Sequence, residues 1–291
     1  MTWLIVGGTG QLGNALKKEL IMRKIDHQLI SSLEADITNT QSVDQLINLC
    51  KPEVIINAAA WTDVDSAETH QLRAIEVNAQ GALNLAVAAK RVEAIFVQVS
   101  TDFVFSGPRA EPWEEYSTHN PLSVYGLSKS QGEIRVQEMY SERSYIMRTA
   151  WLYSADRKNF VKTMLKLALS NGNEVRVVND QVGQPTFAGD LAKQIVDTLL
   201  AKLPFGIYHG TNSGQASWFE FAREIFQLAG ADIYRIKPIS SFDLQRPAKR
   251  PLYSVLGHQA WSGTTVAPLR DWKSALTYSF PEIISKVRSE G

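Results

Sequence analysis

Tyr125 and Lys129 lie four residues apart in Tyr125-Gly126-Leu127-Ser128-Lys129, which places them on one face if that segment is helical. A phenol and an ammonium so placed suit proton delivery to an oxygen that gains charge. Hydride addition to a ketone makes such an oxygen, an alkoxide that must be protonated in the same step. A free tyrosine, with a pKa of about 10, participates reluctantly near neutrality; an adjacent ammonium favours its phenolate and brings it into range. Lys129 would also hold a nicotinamide ribose. Thr101, in Ser100-Thr101-Asp102, offers one hydroxyl to steady the reacting oxygen against the phenol. Thr101, Tyr125 and Lys129 are the candidate catalytic set.

A second signal stands at the start of the chain. Gly7-Gly8-Thr9-Gly10-Gln11-Leu12-Gly13 spaces glycines three apart, between an apolar run at 3–6 and a helical pattern. Glycine allows the tight turn and lets backbone approach a pyrophosphate, while a helix N-terminus offers free N–H groups and positive dipole. The pattern reads as a dinucleotide cradle contacted by Gly7, Thr9, Gly10, Gln11, Leu12 and Gly13. An acid about 20 residues downstream usually holds the adenosine ribose and selects NAD. Here Ile30-Ser31-Ser32-Leu33-Glu34 follows the second apolar run, so that acid is displaced to Glu34 or absent. Ser31 and Ser32 leave room and donors for a 2′-phosphate, which favours NADP(H), with NAD(H) as the alternative. Asp36 and Ile37 fall to the adenine side. The small residues of Asn57-Ala58-Ala59-Ala60, at a further strand end, let the cofactor lie close.

These groups converge only if strands and helices alternate. Apolar runs at 3–6, 27–30, 54–57, 94–99 and 145–148 read as buried parallel strands. Helical patterns at 12–22, 42–50, 72–90 and 127–140 lie between them. The expected fold is a doubly wound α/β sheet with right-handed crossovers, whose ligands bind outside the C-terminal strand ends. After about residue 150 strands become fewer, and irregular stretches rich in Pro, Gly and aromatics appear. Helical patterns persist at 160–169, 190–200 and 218–228. The division expected is a dinucleotide-binding domain at 1–150 and a smaller substrate domain at 151–291, partly interleaved with it.

Composition narrows the partners. Lys+Arg number 30 and Asp+Glu 30, so the formal net charge is zero, and 44% of residues are apolar. Neither nucleic acid nor an anionic membrane is expected as a partner, because phosphate-tracking surfaces carry a basic excess. No apolar run reaches the roughly 18 residues a membrane span needs, and Met1-Thr2 leads directly into Trp3-Leu4-Ile5-Val6 without a basic leader. A cytoplasmic protein is expected, and the single Cys50 fits a reducing compartment. The five histidines show no ligand spacing, so no metal site is expected.

The motifs together resemble the extended short-chain dehydrogenase/reductases. Besides the residues above, Ser100-Thr101-Asp102-Phe103-Val104-Phe105, Trp61-Thr62-Asp63-Val64-Asp65, Arg148-Thr149-Ala150-Trp151, Asn159-Phe160, Gln181-Val182-Gly183-Gln184-Pro185-Thr186 and Arg250-Pro251-Leu252-Tyr253-Ser254 narrow the resemblance to the dTDP-4-dehydrorhamnose reductase family. That resemblance implies reduction of a dTDP-4-keto-6-deoxy sugar, with Tyr125 as proton donor. It implies that Thr62, Val64, Asp102, Phe103 and Trp151 meet the sugar. It assigns the nucleotide half to the second domain, with Asn159, Gln184 and an arginine, Arg250 ranked above Arg246. Asn14, Ala15 and the Phe187-Ala188-Gly189 segment depart from members that bridge two subunits through acids and a divalent ion, so no metal-bridged dimer is carried over; a monomer or homodimer is expected. Two alternatives remain within the resemblance: another nucleotide-sugar reductase, epimerase or dehydratase, and a non-catalytic NADP-binding regulatory subunit. Dehydratases commonly place an acid pair after the threonine, where this chain has Asp102-Phe103.

Overall fold

The computed structural model describes residues 2–170 and 172–290. Its centre is a six-stranded parallel sheet in the spatial order Gly206–His209, Ser144–Thr149, Ile95–Thr101, Val54–Asn57, Trp3–Val6, His27–Ile30. The chain winds outward from Trp3–Val6 to His27–Ile30, then returns past the first strand to build the other side. The reversal opens a crevice at the C-terminal ends of Trp3–Val6 and Val54–Asn57, where ligands of such sheets bind.

Alternation of side chains along each strand feeds two cores. Trp3, Ile5, Val54, Ile56 and Val97 pack on one face, against Leu12, Leu16 and Leu20 of the helix Gln11–Met22 and Leu191 and Ile195 of Ala188–Leu200. Leu4, Val6, Ile55 and Phe96 pack on the other, against Thr40–Cys50, Gly81–Arg91 and Val124–Tyr140. Because both faces are covered, these strands read as continuous apolar runs.

Two sequence expectations change here. The single helix expected at 72–90 is three pieces, Gln71–Ile75, a π-helical turn at Glu76–Gln80, and Gly81–Arg91. The widened turn buries Asn78, whose amide bridges the Trp61 backbone and the Ser128 hydroxyl on the neighbouring helix. The helix expected from 127 begins three residues earlier, at Val124, capped by the Ser123 hydroxyl. Its buried face is built of Gly126, Ser128, Ser130 and Gly132 rather than an apolar stripe, so periodicity under-reads its first turn.

Interleaving of the two halves is carried by residues 188–209 and by Trp261 and Val266, which join the core beneath the sheet. Ala188–Leu200 packs against Gln11–Met22, and Gly206–His209 completes the sheet beside Ser144–Thr149. The remaining C-terminal chain has its own core, from Phe160–Leu169, Trp218–Leu228 and Trp272–Ser289 with the paired strands Val175–Val178 and Ile236–Ile239. Behind the crevice Arg148 is fully buried. It forks onto Glu133 at 2.7–3.1 Å and contacts His119 and His209, locking Val124–Tyr140 to the sheet.

Candidate active site

A cleft of about 820 Å³ runs along the C-terminal strand ends and continues beneath the C-terminal lobe. At one end, Gly7 adopts φ +81°, and a Cβ there would stand 2.6 Å from the Ala59 nitrogen. Gly13 lies just as close, because a Cβ would approach Gly8 Cα at 2.6 Å. The turn is therefore tight against the Ala58–Ala60 backbone and leads into Gln11–Met22, whose N-cap residue Gly10 lends no side chain to the first-turn amides. Open amides on a helix N-terminus, with small residues beneath, fit a pyrophosphate. Gly7, Thr9, Gly10, Gln11, Leu12, Ala58, Ala59 and Ala60 line the cleft.

Two expected contacts stand apart from that lining. Gly13 packs the turn rather than facing the cleft. Asn57 is buried below it, donating to Gln98 at 2.8 Å and accepting the Ala59 amide at 3.1 Å, so it braces the turn that presents the alanines.

At the adenosine end, Ser31, Ser32, Asp36 and Ile37 line the cleft. Glu34 folds back so that its carboxylate accepts both the Ser31 amide (2.8 Å) and hydroxyl (2.7 Å), donors that hold its carboxyl below the usual range. Asp36 accepts from the Thr38 amide and hydroxyl and stands 3.9 Å from Arg73. Arg73 also lines this end, and no local motif marked it.

At the centre, Thr101, Tyr125 and Lys129 share the lining with Asp102 and Phe103. Burial pushes the Tyr125 phenol up to about 12, with the Asp102 carboxyl adding to the rise. The neighbouring ammonium was expected to draw it down. Instead desolvation dominates, and Tyr125 stands as a protonated donor. Burial brings Lys129 down to about 8, against the Glu133 charge that holds it up, and its Nζ donates to the Val99 carbonyl at 2.6 Å. Phe103 meets the Tyr125 ring edge-on at 5.5 Å.

The second lobe supplies the roof. Trp151 lines the cleft with φ +44°, a conformation costly for a bulky side chain, and stacks flat on Trp218 with ring centroids 3.6 Å apart. Thr62 and Val64 close the near lip. Asn159 lines the cleft, yet its amide is spent locally. It caps Phe160–Leu169 and donates to the Ser154 carbonyl and to Gln11, tying that helix to the glycine turn.

Gln184 is not brought to the cleft. It is buried with its amide on Leu256 and Thr211, where it joins the 184 and 256 segments. Arg246 and Arg250 both line the cleft, in different surroundings. Arg250 is 15% exposed and donates through Nη1 and Nη2 to Asp65, whereas Arg246 is 49% exposed and stands 3.7 Å from the same carboxylate.

Sequence reasoning missed Arg73, Arg157, Lys158 and Trp218 in this lining. Arg157-Lys158 stands immediately before the capping Asn159, a basic pair at a helix start, and Arg157 donates to the Thr9 carbonyl at 2.8 Å. Among the described residues no group of three or more His, Cys, Asp or Glu is placed to hold a metal ion. No described helix is long and apolar enough to cross a membrane.

Known proteins resemble this chain over its length. The family model described as the RmlD substrate binding domain matches residues 1–284. A dTDP-4-dehydrorhamnose reductase of Streptomyces griseus is 41% identical over 98% of this chain and 94% of its own. A probable dTDP-4,6-dihydroxy-2-methyloxan-3-one 4-ketoreductase of Streptomyces antibioticus is 39% identical over 98% of this chain and 96% of its own. The crystal structure of dTDP-4-dehydrorhamnose reductase from Bacillus anthracis in complex with NADP superposes with TM-score 0.92 at 38% identity, covering 97% of this chain and 99% of that one. Along nearly its whole length, then, the chain belongs to the RmlD substrate binding domain family, that of the dTDP-4-dehydrorhamnose reductases, NAD(P)-dependent oxidoreductases.

Proposed function

We propose that this chain reduces the 4-keto group of dTDP-4-dehydro-6-deoxy-L-mannose to give dTDP-L-rhamnose, with Tyr125 as the proton donor. One observation carries the reading. Tyr125 and Lys129, on one face of one helix, share a cleft with the glycine turn at one end and two stacked tryptophans at the other.

NAD(P)H, bound on the glycine turn, supplies the hydride; the residues of this chain do the rest. The 4-keto oxygen is seated between Tyr125 and Thr101, and the neutral phenol gives its proton as charge develops on that oxygen. The Lys129 ammonium, anchored on Val99, holds the nicotinamide ribose and stabilises the phenolate left behind. Trp151 and Trp218 form the face against which the sugar rests, with Thr62 and Val64 opposite. Arg246 offers a guanidinium fork to the diphosphate. Residues 151–291 thus provide the nucleotide-sugar side, apart from the 188–209 segment that completes the sheet. Arg73, which lines the same end of the cleft as Ser31 and Ser32 and stands 3.9 Å from Asp36, supports NADP(H) over NAD(H), against the Glu34 carboxylate now on Ser31.

Purified protein is incubated with NADPH or NADH and the dTDP-4-keto-6-deoxy-L-sugar, following cofactor absorbance and the appearance of dTDP-L-rhamnose. Oxidation coupled to that product is expected. No consumption above buffer sinks the reading, and faster turnover of a different dTDP-4-keto sugar, as the Streptomyces antibioticus relative suggests, would reassign the substrate.

A further inference from the structure

The hydroxyl expected to hold the substrate oxygen is already committed. Thr101 Oγ1 has one proton and two lone pairs. It donates that proton to Asp102 Oδ1 at 3.0 Å and accepts the Phe103 amide at 3.2 Å. The Tyr125 phenol faces the same hydroxyl. While Asp102 is a carboxylate, Thr101 has no proton left for a carbonyl oxygen. Asp102 itself lines the cleft yet is 1% exposed. Its second oxygen, Oδ2, has no partner in hydrogen-bonding geometry, and Ser254 is a polar group near the carboxyl. A buried, half-satisfied carboxylate is costly and becomes cheaper on taking a proton.

We infer that Asp102 is the positioning residue that sets the direction of the Thr101 hydroxyl. As a carboxylate it claims the threonine proton; as the neutral acid it donates to Thr101 Oγ1 and frees that proton for the substrate's carbonyl oxygen. No proton leaves Asp102 in the reaction. Tyr125 still supplies the one that ends on the substrate, and Asp102 only fixes which way its neighbour points.

Both forms are accessible near neutrality, since burial lifts the Asp102 carboxyl to about 6, against the lowering influence of the nearby Ser254 hydroxyl and the Thr101 bond. The titratable group facing it is Tyr125, across the cleft on Val124–Tyr140; Lys129 stands one turn further along with its Nζ on Val99. The inference rests on the reductase reading and deepens it.

The test follows kcat and KM against pH for the wild type and Asp102→Asn. In the wild type kcat should fall as pH rises above about 6, approaching tenfold per unit, with KM changed by less than about threefold. In Asp102→Asn the amide donates to Thr101 at every pH, so turnover persists and that limb disappears. A wild type without the limb, or a variant that keeps it, overturns the inference. Should Asp102→Asn fail to fold, Thr101→Ser must keep the limb and Thr101→Val must abolish it; equal profiles overturn it as well. Infrared difference spectra of the free protein give an independent readout. A carboxylic C=O band titrating near 6 in the wild type and missing in Asp102→Asn is expected, and its absence from the wild type overturns the inference. If no variant turns over at any pH the reductase reading fails, while the infrared titration still decides the state of Asp102.

Discussion

Asp65 and Arg250, 185 residues apart in the chain, meet as a forked ion pair, with Nη1 and Nη2 donating to the two carboxylate oxygens at 3.0 and 2.9 Å. Asp65 sits in the short helix Val64–Ala67, next to the lip formed by Thr62 and Val64, and it also accepts the Ala248 amide. The pair lashes the 246–250 loop of the second lobe to the first. The pair engages both terminal nitrogens of Arg250, leaving Arg246 the less committed guanidinium at this side of the cleft.

Arg246→Ala should therefore raise KM for the dTDP-sugar by about tenfold or more, the worth of a charge-assisted hydrogen bond, with little change in Tm. Arg250→Ala should instead lower Tm and leave the loop open to proteolysis. Steady-state kinetics and thermal melts separate the two; an unchanged KM in Arg246→Ala removes that arginine from the site. Arg250 holds the Asp65 carboxyl below its ordinary value. A depressed acid stabilises fully above its unfolded pKa of about 3.9, so the latch should weaken only as pH falls below that.

Glu133→Gln tests the buried pair behind the cleft. It leaves Arg148 charged and unmatched among His119 and His209, at a cost of about 3–5 kcal/mol and a Tm drop of several degrees or more. Burial works against the Glu133 carboxylate, but the Arg148 charge and the His119 contact overcome it and hold it at about 2. Burial and the Arg148 charge lower His209 to about 3. Both groups are depressed, so their stabilisation is complete above their unfolded values and lost on the acid side. His209 loses it from about 6.5 downward and Glu133 from about 4.3. Melts against pH should show the His209 part vanish in His209→Gln; an identical acid slope would contradict this.

Tyr125→Phe removes the proton donor while keeping the ring against Phe103. kcat should fall by about 10²–10⁴, and NADPH affinity measured by fluorescence titration should stay within a few-fold. Activity close to wild type would take Tyr125 out of that role.

Trp218→Ala strips one face of the stack that sets Trp151. The stacking term of about 0.5–1.5 kcal/mol predicts a KM increase of roughly two- to tenfold for the dTDP-sugar, with NADPH binding unaffected. Equal weakening of both ligands would mean a general loosening of the roof instead.

Gly13→Ala places a methyl 2.6 Å from Gly8 Cα, so the turn must open. NADPH and NADH affinity should both fall at least tenfold and Tm should drop as well, since the clash is with the backbone that packs the turn. Retained affinity would show that the turn tolerates displacement.

The sequence by itself determined the parts whose information is local. Apolar runs located the first five sheet strands, and glycines at 7, 10 and 13 marked the turn. The four-residue spacing put Tyr125 and Lys129 on one helix face. Tertiary structure alone decided what depends on distant chain meeting. It returned Gly206–His209 to the sheet, brought Arg73, Arg157, Lys158 and Trp218 to the cleft, and sent the Gln184 amide inward to Leu256 and Thr211. It also buried Asp102 and Tyr125 deeply enough for desolvation to outweigh the charges that spacing had suggested would govern them. Spacing fixes which side chains share a face, because backbone periodicity is local. Which charges lose their water, and which donors are already taken, depends on neighbours far along the chain.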